Sequence, residues 1–207
     1  MLVIVDYGMG NLGSIENMFR KIGAEVKISN DLNEIKNADK LILPGVGAFD
    51  NGISSLHSLG LVPILHKKVI VDKTPILGIC LGMQLFTNKS AEGTLPGLGW
   101  IDAETNRFKF ENENTKLKVP HMGWNTVDVV KKTAIFNKYY NESRYYFVHS
   151  YYVKCKHKDN VLATTQHGIE FDSAIIKDNI IGTQFHPEKS HKYGLKILRC
   201  FMEVTTC

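Results

Sequence analysis

Over its first eighty residues the chain alternates brief apolar runs with longer, periodically patterned ones, and that alternation leaves few folds open. Residues 2–6, 25–29, 40–43 and 75–79 read as strands, the last of them a short apolar run of buried-strand type. Between them, residues 12–22, 31–38, 49–58 and 61–69 carry helical spacing. Strand and helix in strict turn argue for a parallel sheet covered on both faces. From Ile101 the runs shorten and turns punctuate them: 125–130, 144–150, 151–155, 161–166, 171–177 and 180–185 read as strands, and 193–202 returns to helix. The expected fold is α/β, a mostly parallel central sheet with helices on both faces and antiparallel strands added in the second half. No repeat, linker or low-complexity stretch divides it, so residues 1–207 are expected to form a single domain.

The strand at 75–79 runs directly into Gly78-Ile79-Cys80-Leu81-Gly82, followed by the helix-forming Met83-Gln84-Leu85-Phe86. A cysteine on a tight strand-to-helix turn between glycines is a nucleophile elbow: small neighbours expose the thiol, and the helix N-terminus favours the thiolate. About a hundred residues later stands His186-Pro187-Glu188. In an extended chain that two-residue spacing puts imidazole and carboxylate on one side, so Glu188 can orient His186 beside the thiol. A buried structural cysteine and an unrelated surface histidine form the bland alternative.

Composition bounds what else the chain can be. With 43% hydrophobic and 22% charged residues over 207 positions, it can bury a full core. No apolar run is long enough to span a bilayer, and the Met1-Leu2-Val3-Ile4-Val5-Asp6 start lacks the basic, extended pattern of a signal peptide, so a cytoplasmic protein without a membrane partner is expected. Cys80, Cys155, Cys200 and Cys207 form no C-x-x-C pair, which argues against a disulfide framework or a metal site. The net charge of +4 gathers in short basic runs with no aromatic interleaving, so no nucleic-acid partner is expected.

Gly8-Met9-Gly10-Asn11-Leu12-Gly13 matches G-x-G-x-x-G, follows an expected strand, opens a helix, and has Asp31 about twenty residues on. Read alone it is a dinucleotide fingerprint. However, the chain has no room for a substrate domain, Asp6-Tyr7 stands where an apolar residue would lead into the first glycine, and the elbow would be left without a role. A glycine-rich turn that lets another backbone or a partner approach closely is the better reading, and no cofactor is expected.

Taken together, several segments resemble one family. Asp6-Tyr7-Gly8-Met9-Gly10-Asn11-Leu12, Leu43-Pro44-Gly45-Val46-Gly47-Ala48-Phe49, the elbow through Gln84, Pro120-His121-Met122-Gly123-Trp124-Asn125, Phe147-Val148-His149-Ser150-Tyr151 and Gly182-Thr183-Gln184-Phe185-His186-Pro187-Glu188-Lys189-Ser190 look like class I glutamine amidotransferases. More narrowly they are similar to the glutaminase subunits of imidazole glycerol phosphate synthase. The likeness spans nearly the whole chain and is weakest at residues 99–114, where Trp100 departs from the pattern.

The resemblance implies a three-layer amidotransferase fold and a Cys80–His186–Glu188 triad acting on L-glutamine. It further implies oxyanion donors from the Leu81 backbone and the Gly45-Val46-Gly47 loop, and glutamine contacts from Gln84, Gly47, Ser150 and Tyr151. Asn11, His121, Met122 and Trp124 would face a separate (β/α)8-barrel cyclase subunit that receives the ammonia. On the residues alone, Gln84 could still be an ordinary helix glutamine and Trp124 a core residue. Similar glutaminases also serve a barrel partner that amidinates nucleotide-linked sugars, and a non-catalytic module of the same fold is a third possibility.

Overall fold

The computed structural model describes residues 1–110, 117–136 and 143–204; Cys207 and the 111–114 part of the weak stretch lie outside them. Strands β1 (Leu2–Val5), β2 (Val26–Ser29), β3 (Lys40–Leu43) and β4 (Ile76–Ile79) alternate with helices α1 (Leu12–Lys21), α2 (Leu32–Lys36), α3 (Phe49–Ser58) and α4 (Leu61–His66). Local chemistry sets the helix ends. The Asn11 side chain accepts from Ser14 N–H to cap α1, whose last turn carries Arg20 and Lys21 against the negative end of the dipole. Asp31 caps α2 by accepting from the N–H groups of Asn33 and Glu34. The expected helical run at 61–69 is α4 followed by a π-helical turn, Lys67–Val71.

After β4 come the short helix α5 (Leu81–Leu85) and strands β5 (Lys89–Ser90), β6 (Ala103–Arg107), β7 (His121–Thr126), β8 (Asp128–Val129), β9 (Arg144–His149), β10 (Tyr151–Cys155), β11 (Val161–His167), β12 (Ile169–Lys177) and β13 (Ile180–Thr183), before α6 (His191–Glu203). Eleven strands form one sheet in the order β2-β1-β3-β4-β13-β12-β10-β6-β5, with β11 on β12 and β8 on β11; β7 and β9 pair separately. From β2 through β13 every pairing is parallel, and the pairs of β12 with β13, β10 and β11 are antiparallel. This is the mixed sheet expected from the sequence.

The inner parallel strands β1, β3 and β4 are buried on both faces, which explains their apolar runs, whereas the edge strand β2, Val-Lys-Ile-Ser, is partly exposed. Val3, Val5, Leu41 and Leu43 join α3 and α4 in one core cluster, whereas Leu2, Ile4, Ile42 and Leu77 join α1 and α6 in the other. β4 and β13 lie side by side with Ile79 opposite Thr183, so their C-terminal ends bring Cys80 and His186 to the same edge. Crevices outside the carboxyl ends of parallel strands are where α/β sheets bind ligands.

Candidate active site

Cys80 takes φ 54° and ψ −108°, a left-handed conformation that costs a side-chain-bearing residue about 1–3 kcal/mol and persists only where its surroundings enforce it. Here Cys80 N–H donates to Thr183 O at 2.8 Å. The flanking glycines do more than clear space around the thiol. A Cβ on Gly82 would stand 1.8 Å from Leu43 O, and one on Gly78 would stand 2.5 Å from the Phe86 ring. They let α5 lie directly on β3 and β4, and the thiol itself is only 7% exposed.

His186 Nδ1 lies 2.7 Å from Glu188 Oε1, and both side chains are buried. The route differs from the extended geometry expected: Pro187–Lys189 is a 3-10 turn, and the turn, not strand alternation, brings the carboxylate back to the ring. Ser190 Oγ donates to His186 O at 2.6 Å and accepts from Tyr146 N–H at 3.0 Å, clamping that turn to β9. Burial pulls the His186 pKa down, but the Cys80 sulfur and the Glu188 carboxylate beside it outweigh that and raise the value to about 10. The imidazole is therefore held as a cation between a sulfur and a carboxylate.

Leu81 N–H donates to Gly45 O at 3.3 Å, so the first N–H after the nucleophile faces a carbonyl of the Pro44–Gly47 loop. That loop is packed from below. Tyr7 Oη donates to Pro44 O at 2.5 Å, and burial, with Cys80 near, pushes the phenol pKa up and keeps it a donor. A Cβ on Gly45 would stand 2.6 Å from that Oη. Gly10, at φ +97°, approaches so closely that its Cβ would meet Pro44 Cβ at 3.2 Å and Gly45 N at 3.3 Å. The G-x-G turn is thus filled by another stretch of backbone, and Asp31 is spent on capping α2; neither is free for a dinucleotide.

A cleft of about 500 Å³ opens above the thiol, lined by Cys80, Leu81, Val46, Gly47, Gln84, Glu92, His149, Ser150 and Tyr151 among others. The expected glutamine contacts all border it. Glu92 is the residue that sequence reasoning misses: nothing in its local sequence marks it, and it reaches the cleft because its Oε2 accepts from Phe49 N–H at 2.9 Å, at the start of α3. Behind the cleft runs a row of polar groups. Asn125 Nδ2 lies 3.1 Å from His121 Nε2, His121 Nδ1 lies 3.0 Å from His149 Nε2, and His149 Nδ1 lies 2.7 Å from Tyr151 O. Burial lowers the pKa of His121 to about 4 and of His149 to about 3, so both rings are neutral.

The expected interface residues divide. Met122 and Trp124 are 63% and 45% exposed, Asn11 is exposed at the head of α1, and Trp124 is consequently not a core residue; its indole stacks on His191 at 5.4 Å. His121 corrects the expectation. Alternation along β7 turns its ring inward, where it is 4% exposed and packs against Phe147 and His167. Trp100 is buried as well, stacked on Phe86. Among the described residues, no helix is long and apolar enough to cross a membrane.

Comparison with known proteins matches residues 3–204 to the family of class-I glutamine amidotransferases. Imidazole glycerol phosphate synthase subunit HisH 2 of Methanococcus maripaludis is 56% identical over 203 residues, covering 98% of this chain and 99% of the relative. The protein of the same name from Pseudomonas aeruginosa is 45% identical, covering 99% of this chain and all of the relative. In fold, the chain is similar to a glutamine amidotransferase from Thermotoga maritima (TM-score 0.64, 15% identity, 98% of this chain and 82% of that one). The glutaminase domain of a Trypanosoma brucei CTPS is a further fold relative (TM-score 0.61, 16% identity, 98% and 93% covered). With its elbow, its His–Glu pair and an end-to-end match to the HisH subunits, the chain belongs to the class I glutamine amidotransferases, within the HisH family.

Proposed function

We propose that this chain hydrolyses L-glutamine as the glutaminase subunit of imidazole glycerol phosphate synthase, in histidine biosynthesis. The Cys80 thiolate attacks the δ-carbon of the carboxamide, and His186 gives its Nε2 proton to the departing nitrogen, which leaves as ammonia. Water then attacks the glutamyl thioester, His186 takes a proton from it, and glutamate and the thiolate are released. Glu188 holds the imidazole tautomer and balances its charge throughout. The observation that carries this reading is the His186–Glu188 contact of 2.7 Å set behind a strained cysteine at the floor of a cleft.

The oxyanion formed in the first step needs donors, and Leu81 N–H is in place once the Gly45 carbonyl turns away from it. Gly47, Ser150, Tyr151 and Gln84 would hold the amino-acid end of glutamine, and Glu92, the one acidic side chain among the described residues of the cleft, suits its ammonium group. Free ammonia becomes ammonium in neutral water, so the acceptor site must be close. A separate (β/α)8-barrel cyclase subunit would receive it and form imidazole glycerol phosphate and an aminoimidazole-carboxamide ribonucleotide. A cytoplasmic location suits a thiol that must stay reduced.

Cys80→Ala tests the assignment in the complete synthase. Glutamine-dependent product formation should fall by at least a thousandfold, on the order of what a lost nucleophile costs, while product formation driven by added ammonium salt persists. Near-native glutamate release by the variant would remove Cys80 from its role.

A further inference from the structure

We propose that Gln184 is a catalytic residue of the same site, donating its side-chain amide N–H to the Cys80 sulfur and fixing which end of Gln84 faces the cleft. The proposal rests on the glutaminase reading of Cys80. Gln184 is fully buried, with its Nε2 3.6 Å from Cys80 Sγ, an ordinary separation for so large an acceptor atom, and its Oε1 3.1 Å from Gln84 Nε2.

The direction of these bonds follows from the Tyr151 carbonyl, which can only accept. Gln84 presents an atom to it at 3.1 Å, so that atom is the amide nitrogen. The same nitrogen lies against Gln184, whose atom there must then be oxygen. The other end of the Gln184 amide is therefore N–H, and it points at sulfur. Reversing Gln184 would set nitrogen against nitrogen at Gln84 and a carbonyl lone pair against a thiolate.

The same carbonyl fixes the row on its other side. His149 Nδ1 must carry hydrogen to reach Tyr151 O, so His149 Nε2 accepts from His121 Nδ1, and His121 Nε2 accepts from Asn125. One proton arrangement satisfies every member.

Two consequences follow for the reaction. The Gln184 N–H is aimed at the sulfur, and a donor so placed stabilises the negative charge that the sulfur carries as it attacks and again as the thioester breaks. Secondly, both N–H groups of Gln84 are spent on Tyr151 and Gln184, so Gln84 offers the cleft its oxygen. The substrate must supply a donor there, as an amine or carboxamide does and a carboxylate does not.

The test reads the thiol directly in the full-length chain. Alkylation of Cys80 by iodoacetamide is followed by peptide mass spectrometry across a range of pH in the parent, in Gln184→Met and in Gln184→Glu. The methionine variant should react about tenfold more slowly at neutral pH, the worth of one hydrogen bond to a charged group, with the deficit narrowing as pH rises. The glutamate variant, one atom changed and an acceptor toward sulfur, should be slower still. If the methionine variant does not fold, the glutamate variant carries the test. Rates within twofold of the parent across the pH range, in a variant that melts like the parent, overturn the proposal. Because alkylation does not involve glutamine, a Cys80 that depends on Gln184 in a chain that releases no glutamate even within the complete, acceptor-loaded synthase would sink the glutaminase reading and leave this contact standing.

Discussion

His149 has both ring nitrogens committed, Nδ1 to a carbonyl and Nε2 to a second imidazole, and burial holds its pKa at about 3. A group whose folded pKa lies below its unfolded value near 6.5 contributes fully above that value, and its contribution is lost as pH falls toward the folded one. His149 alone should therefore cost roughly 1–2 kcal/mol of stability between pH 7 and pH 5. Thermal melts over that interval should fall more steeply in the parent than in His149→Gln, and equal slopes would discard the argument. His186 acts with the opposite sign. Its raised pKa of about 10 means that its contribution is complete below about 6.5 and is lost as pH climbs to 10, a decline that Glu188→Gln should flatten. At this scale the sequence is most legible where chemistry demands a local signature, at Cys80, His186 and Glu188. Glu92 carries no such signature, and Gln184, although it stands in the segment that runs into His186, has a role that shows only in its contacts with Cys80 and Gln84, about a hundred residues away in sequence.

Among the elements, the Pro44–Gly47 loop has the most to answer for. It carries a carbonyl where the oxyanion chemistry needs a donor, and Tyr7 and the Gly10 turn hold it there. A missing oxyanion donor typically costs about 100- to 1000-fold in rate. The isolated chain should consequently release glutamate slowly, and a partner loaded with its acceptor should raise the rate by about that factor through preferential binding of the turned loop. Glutamate release by the chain alone, with empty partner, and with partner plus acceptor distinguishes the cases; equal rates in all three would reject the gate. Element boundaries at β1, β3 and β4 are readable because two-sided burial writes nearly continuous apolar runs. β6, Ala-Glu-Thr-Asn-Arg near the sheet edge, escapes a reading by apolar runs because only one of its faces is covered and its alternation is polar. The turn at Pro187–Lys189 likewise differs from the extended chain expected there, since an x-Pro step is compatible with both.

For the molecule as a whole, Met122, Trp124 and Val46 are exposed apolar side chains on segments that border the cleft or adjoin it, a composition suited to the centre of an interface. Trp124→Ala should weaken association with the proposed cyclase subunit by at least tenfold, about 1.4 kcal/mol, or let ammonia escape. The melting temperature of the free chain should change little, because nearly half of the residue is already in water. Titration of the variant against its partner, beside a melt, decides between that outcome and a purely structural tryptophan. A different constraint follows from the pairing of β4 with β13, which sets Ile79 opposite Thr183 and anchors Cys80 N–H on Thr183 O. During synthesis the cysteine leaves the ribosome about a hundred residues before its base, its carboxylate and the strand that bends it into the elbow. For most of its birth the nascent chain carries an ordinary thiol, and the reactive one comes into being only when one of the last strands closes the sheet.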